Sequence, residues 1–240
     1  MHINIGLGPK SETVLPVSTN TDADTLHGST RAETKADSKH LYFAYGSNLS
    51  PTQMEHRCTF NPTLSAKPVA IALLPKWRWL ICEAGYANVL PPEGMRIGPQ
   101  DSELAQKVPI SGAEDAVYGV LYEMDPRDEQ ILDVYEGVDP CADETDGSAP
   151  VGPAVRPRNQ GEGSYNKWYV SAPVVQWLQP PPEPRDEVSV LVYVDEERVC
   201  LAPPKFEYIA RMNRAIREAE GLGVPAHWIR KAMRRFIPDQ

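Results

Sequence analysis

Cysteine is scarce. The four in 240 residues, Cys58, Cys82, Cys141 and Cys200, lie far apart with no C-x-x-C pair among them, so neither a disulfide framework nor a thiolate zinc site is suggested and all four read as free thiols. The histidines, His2, His27, His40, His56 and His227, form no H-E-x-x-H and no pair at ligand spacing, and no metal is expected. Long apolar runs are missing too: none approaches the roughly 20 residues that cross a bilayer. The opening MHINIGLGPKSETVLP lacks the basic segment, apolar stretch and small-residue cleavage site of a secretory leader. A cytoplasmic protein without a membrane partner is the expectation. Positive charge is outweighed, with 24 Lys and Arg against 33 Asp and Glu and a formal net charge of -9, which weighs against a nucleic-acid partner. Locally the balance reverses at Arg211, Arg214, Arg217, Arg230, Lys231 and Arg234. That cluster reads either as solvated helix faces or as a cationic rim for an anionic small substrate. Phosphate-loop and dinucleotide fingerprints are absent, so no cofactor is expected. Ser47 lacks the flanking glycines of a G-x-S-x-G elbow, and His56 and Cys58, two apart on a helix, face different ways.

What the chain does contain is one sizeable core, at 41% hydrophobic and 24% charged residues. Residues 1–39 are rich in Ser, Thr, Asp and Gly without apolar period and read as a disordered tail. Residues 40–240 read as one domain, interrupted at about 139–163 by an acid-, Gly- and Pro-rich surface loop and from Gln179 by a Pro-rich bend. Short β-rich runs fall at 41–45, 69–74, 77–81, 87–90, 116–122, 165–177 and 188–194, spaced for a sheet that curls on itself. Ser50-Pro51-Thr52-Gln53 is a capping box, and Asp125-Pro126 repeats the device before a helix that Gly137 ends. Phe206, Ile209, Asn213 and Ile216 mark another helix, stopped by Gly221 and Gly223. Trp228, Ile229, Ala232, Met233 and Phe236 mark a last one before Pro238. The class is α+β.

Two features carry chemistry. In LYFAYGSNLS, residues 41–50, a strand-like aromatic run stops at Tyr45 and gives way to Gly46, Ser47 and Asn48. This is either a plain turn or a loop whose backbone amides hold an anion. Glu136 sits at a helix carboxyl end, where terminal carbonyls make a carboxylate less comfortable. It is either a tuned general base or a solvent-facing glutamate at a fraying end.

Read in order, these pieces resemble the γ-glutamylcyclotransferase family, related to the AIG2-like proteins, which releases 5-oxoproline from γ-glutamyl compounds. The matching residues are YFAYGSNL from Tyr42 to Leu49, AVYGVLYEMDPRDEQILDVYEGV from Ala116 to Val138, and Tyr208 opening a helix that ends in GLGVP. The resemblance spans most of the chain from Leu41 onward. It implies a compact barrel-like mixed β-sheet flanked by a few helices, with no cofactor and a small-molecule γ-glutamyl substrate. It also implies that Glu136 is the catalytic acid/base, that Tyr42, Phe43, Ala44, Tyr45, Gly46 and Ser47 form the substrate-holding segment, and that Tyr208 encloses the γ-glutamyl group. The substrates it implies range from γ-glutamyl amino acids to glutathione and its adducts, the last used in routes to sulfur-containing secondary metabolites. The 139–163 insertion departs from the family pattern and reads as a lid, an extension of the pocket or a disordered surface insert. Two other readings of the chain stand beside the cyclotransferase: a non-catalytic binding or regulatory module on the same fold, and a related amine-transfer enzyme.

Overall fold

The computed structural model describes residues 40–97, 115–145, 154–181 and 183–240. The expected tail at 1–39 and the middle of the 139–163 insertion lie outside the described residues.

β-Branched and aromatic runs broken by turn residues form seven strands among the described residues. They are β1 (Leu41–Ala44), β2 (Pro68–Pro75), β3 (Arg78–Ile81), β4 (Ala87–Leu90), β5 (Ala116–Glu123), β6 (Asn166–Trp177) and β7 (Glu187–Val194), each within a residue of its expected ends. Five of them close into a barrel in the order β1-β5-β2-β6-β7. All neighbours are antiparallel except β1 and β7, which run parallel where Leu41 pairs with Val190 and Tyr42 with Leu191. Closure leaves no free sheet edge, and the mixed barrel fits the α+β class. β3 and β4 form a separate two-stranded sheet. The helices are α1 (Pro51–Arg57), α2 (Pro62–Ser65), α3 (Pro126–Glu136), α4 (Phe206–Leu222) and α5 (Ala226–Ala232).

Phe43, Tyr122, Trp168 and Tyr193, which pack on the two faces of the barrel wall, are all but sealed from solvent. Phe43 on β1 lies flat against β5 at Gly119, where a Cβ would fall 2.4 Å from its ring. Gly119→Ala is therefore expected to destabilise the fold by about 1–3 kcal/mol through overpacking, read as a lower urea midpoint with an unchanged slope.

Helix starts follow the sequence. Ser50 Oγ accepts from the Gln53 amide at 3.0 Å, the first half of the expected capping box. The second half is diverted, because the Gln53 side chain instead accepts from Arg214 on α4 at 3.0 Å. Glu218 of α4 accepts from Ser50 Oγ at 2.6 Å and from the Thr52 amide at 3.2 Å, placing a carboxylate at the positive end of α1. Asp125 caps α3 through the Arg127 amide at 3.0 Å. Asp128, in the first turn of α3, accepts the Phe60 and Asn61 amides and the Ser65 hydroxyl. It thereby ties α2, a helix too short to leave a periodic signal, to α3.

On α4 the buried stripe is Tyr208, Met212, Ala215, Ile216 and Ala219. Phe206, one of the residues that marked this helix, is exposed, since two positions from the buried Tyr208 it falls on the other side of the helix. Gly221 lies inside the helix, and Gly223, at φ +109°, ends it.

The described flanks of the 139–163 insertion fold back on each other. Glu144 bridges to Arg158 and Val155 to Tyr169 of β6. Beneath them Glu196, just past β7, accepts from both arms of Arg156 at 2.8 and 2.7 Å, from Asn166 at 2.8 Å and from the Trp168 indole at 2.7 Å. Among the described residues no helix is long and apolar enough to cross a membrane.

Candidate active site

β1 ends at Ala44, and the next residues turn over one end of the barrel into a 3-10 turn, Ser47–Leu49, on which α4 packs. The reason for a glycine there is proximity rather than strain. Gly46 has φ −110°, but a Cβ would meet the Tyr208 hydroxyl at 3.0 Å and the Ala87 Cβ at 3.3 Å. Gly46 and Ser47, Ala87 at the start of β4, and Tyr208 from the first turn of α4 thus meet at one point. The Ala87 amide donates to the Tyr208 oxygen at 3.4 Å, and the Ser47 amide is directed to the same oxygen.

Facing them is the end of α3. Gly137, at φ 65°, closes the helix by donating to its last carbonyls, and Ser164 donates its amide to the Gly137 carbonyl at 2.7 Å. Glu136 is thereby held over a cavity of about 260 Å³, smaller than the roughly 300–1,000 Å³ of sites for drug-sized ligands and suited to an amino-acid-sized group. Its Oε1 accepts from Arg57 Nη1 at 2.6 Å and from Asn48 Nδ2 at 3.1 Å. Asn48 Nδ2 also donates to the Tyr42 hydroxyl at 2.8 Å, while its Oδ1 is buried without a partner. The Glu136 side chain is only 17% exposed. Burial pushes its pKa above the ordinary carboxylate value, against the opposing pull of Arg57 and Asn48. Tyr135, its neighbour in sequence, supplies little of this burial. It is itself exposed, with the Arg57 guanidinium 5.0 Å over its ring.

Five buried tyrosines of the lining stay protonated. Burial raises the hydroxyl pKa of Tyr42, Tyr45, Tyr165 and Tyr193 well above the ordinary tyrosine value, and that of Tyr208 to about 12. Tyr45 donates to the Tyr193 carbonyl, Tyr165 to the Ala87 carbonyl and Tyr193 to Asp133, at 2.6, 2.8 and 2.6 Å. Among the described residues that line the cavity, Glu136 is the one carboxylate, and its pKa is raised. No group of three or more His, Cys, Asp or Glu among the described residues is placed to hold a metal ion.

Six of the eight expected site residues, Tyr42, Tyr45, Gly46, Ser47, Glu136 and Tyr208, line this one cavity. Phe43 and Ala44 do not. Both are fully buried, and Phe43, turned to the face opposite Tyr42, packs on Gly119 of β5 instead. Sequence reasoning did not single out Arg57, Tyr86, Tyr165 or Tyr193, whereas Arg211 belongs to the basic cluster that read as solvated helix faces or a cationic rim, and it is the member of that cluster that lines the cavity. Arg57 closes α1, where a basic residue reads as an ordinary helix-end charge, and Tyr193 lies inside a continuous apolar strand. The described parts of the insertion do not line the cavity, although Ser164 and Tyr165, which follow it, do.

With this geometry in view, the solved structures to which the chain is similar include a γ-glutamyl cyclotransferase at 19% identity, covering 84% of this chain and 89% of that one with a TM-score of 0.50. An uncharacterized protein from Homo sapiens matches with the same identity, coverage and TM-score. A yeast γ-glutamyl cyclotransferase specific to glutathione is similar at 11% identity over 78% of this chain and 90% of that one, with a TM-score of 0.43. No protein-family model matches the sequence, and no curated protein matches it. The first two likenesses show the fold, which is the one γ-glutamyl cyclotransferase structures have.

Proposed function

We propose that this chain is a γ-glutamylcyclotransferase, releasing 5-oxoproline and a free amine from a γ-glutamyl compound. The observation that carries the reading is the buried, proton-hungry Glu136 carboxylate sharing a small cavity with the main chain of Gly46 and Ser47. The fold supports it.

Cyclisation needs no enzyme-bound intermediate, since nucleophile and electrophile belong to one glutamyl unit and the site has only to hold the folded conformer and move protons. Glu136 takes a proton from the α-ammonium, and the freed amine attacks the γ-carbonyl carbon, whose π pair moves to oxygen. The Gly46 and Ser47 amides stabilise that oxyanion or the α-carboxylate. As the tetrahedral species collapses, the bond to the leaving nitrogen breaks and Glu136 returns the proton to it. The second proton on the new ring nitrogen leaves by the same carboxylate. The amine product departs as an ammonium ion, and no net proton is consumed.

Incubation with γ-glutamyl-alanine, γ-glutamylcysteine and glutathione, scored for 5-oxoproline, tests the reading, and no product from any of them rejects it. The pH profile adds a second check. Glu136 must be ionised to act, so kcat/KM falls as pH drops through its pKa, with the midpoint above the ordinary carboxylate range. Arg57 holds that pKa down, and Arg57→Met is expected to move the acid limb to higher pH. A limb that stays put would remove Arg57 from the control of Glu136.

A further inference from the structure

We infer that Arg211 is the specificity-determining residue at the mouth of the cavity, reading a carboxylate on the leaving half of the substrate. This rests on the cyclisation proposed above and names its substrate class.

Ser47, Tyr42 and Glu136 lie at the buried floor, so the glutamyl unit must sit there. The leaving group then points outward, past Tyr86 and Arg211. Arg211 lies one turn beyond Tyr208 on α4, and its side chain is 30% exposed. Its guanidinium is 5.0 Å from the Tyr208 ring centroid and 5.8 Å from that of Tyr86. The two rings themselves meet edge-on at 5.1 Å. Stacking on aromatic faces fixes the plane of a guanidinium and leaves its edge donors directed outward, in the fork that matches a carboxylate.

The existing partner of Arg211 is weak. Glu207 accepts from Arg211 Nη2 at 2.9 Å, but Glu207 is more than half exposed, and a solvated pair of this kind contributes little. Glu207 also accepts from the Tyr86 hydroxyl at 2.8 Å, so it keeps a partner when a ligand takes the guanidinium. The floor offers no competing cation, because Arg57 is committed to Glu136 at 2.6 Å.

Charge points the same way. Among the ionic side chains lining the cavity, Arg57 and Arg211 stand against Glu136 alone, leaving one net positive charge in a chain whose formal net charge is -9. A γ-glutamyl amino acid or peptide, with two carboxylates and one ammonium, carries the complementary single negative charge. A γ-glutamyl amine or amide carries none.

The test compares γ-glutamyl-alanine with γ-glutamyl-alaninamide, which differ only in that outer carboxylate, by kcat/KM for 5-oxoproline release. The full-length protein is expected to prefer the acid by about ten-fold or more, as a charge-assisted contact implies. Arg211→Gln is expected to bring the ratio close to one, chiefly through KM for the acid, and Arg211→Lys to restore part of it. Equal use of the two substrates by the unmodified protein overturns the inference. So does an Arg211→Gln variant that slows both substrates alike, which would place the guanidinium on the glutamyl α-carboxylate instead. Failure to release 5-oxoproline from either substrate is distinguishable from both results, and it sinks the cyclisation together with this inference.

Discussion

Glu136→Gln is expected to lower kcat/KM for 5-oxoproline release by about 10²–10⁴-fold, the range that one positioned proton-transfer group contributes. The substitution keeps the shape of the side chain and its acceptor oxygen toward Arg57 and Asn48, so lost activity reports lost proton transfer. Stability supplies the control. The folded-state pKa of Glu136 lies above the ordinary value, so the folded protein holds the proton more tightly than the unfolded chain does. The stabilisation from that proton is present at low pH and is lost as pH rises through the folded pKa. Above that pKa the ionised carboxylate is thus a burden on the fold. The glutamine protein should melt no lower than the original, the usual exchange between activity and stability at a site. A variant that melts normally and still makes 5-oxoproline at near-normal rate would dismiss Glu136 as the acid/base.

Gly46→Ala is expected to cost roughly ten- to a hundred-fold in kcat/KM, because sub-ångström misplacement of reacting groups is expensive. Its φ of −110° asks for no left-handed backbone. What suffers is the meeting point, where the new methyl would press on the Tyr208 hydroxyl at 3.0 Å and the Ala87 Cβ at 3.3 Å. Either Tyr208 shifts or the Ser47 amide turns away, and in both cases the anion-holding donors lose their aim. Measuring kcat/KM alongside thermal stability separates this from unfolding. Unchanged activity would mean that the loop is a plain turn after all.

The strands were readable because short β-branched and aromatic runs are broken by turn residues, and α1 and α3 announced themselves through Ser50-Pro51 and Asp125-Pro126. The closure of β1 on β7 left no such mark. It depends on a parallel pairing between residues some 150 positions apart, such as Leu41 with Val190, and no local spacing encodes it. The same division holds at the cavity. Glu136, Gly46 and Ser47 stand out because helix-end and turn chemistry restrict what may sit there. Arg57 is an ordinary helix-end residue and Arg211 one of six in a basic cluster, and the folded chain picks them out by setting one against Glu136 and the other over Tyr208. Phe43 and Ala44 show the converse error: adjacency in a motif was read as adjacency in space, yet both are buried away from the cavity.

Glu196 gathers Arg156, Asn166 and Trp168 at the base of the insertion, while Ser164 clasps Gly137 on the cavity side. Such an anchor works as a strain relief. Residues can be gained or dropped between 145 and 154 without transmitting a change of register to the carboxylate next to Gly137, which gives this arm of the molecule room to drift over evolutionary time, or to accept a grafted peptide, while the chemistry behind it stays fixed.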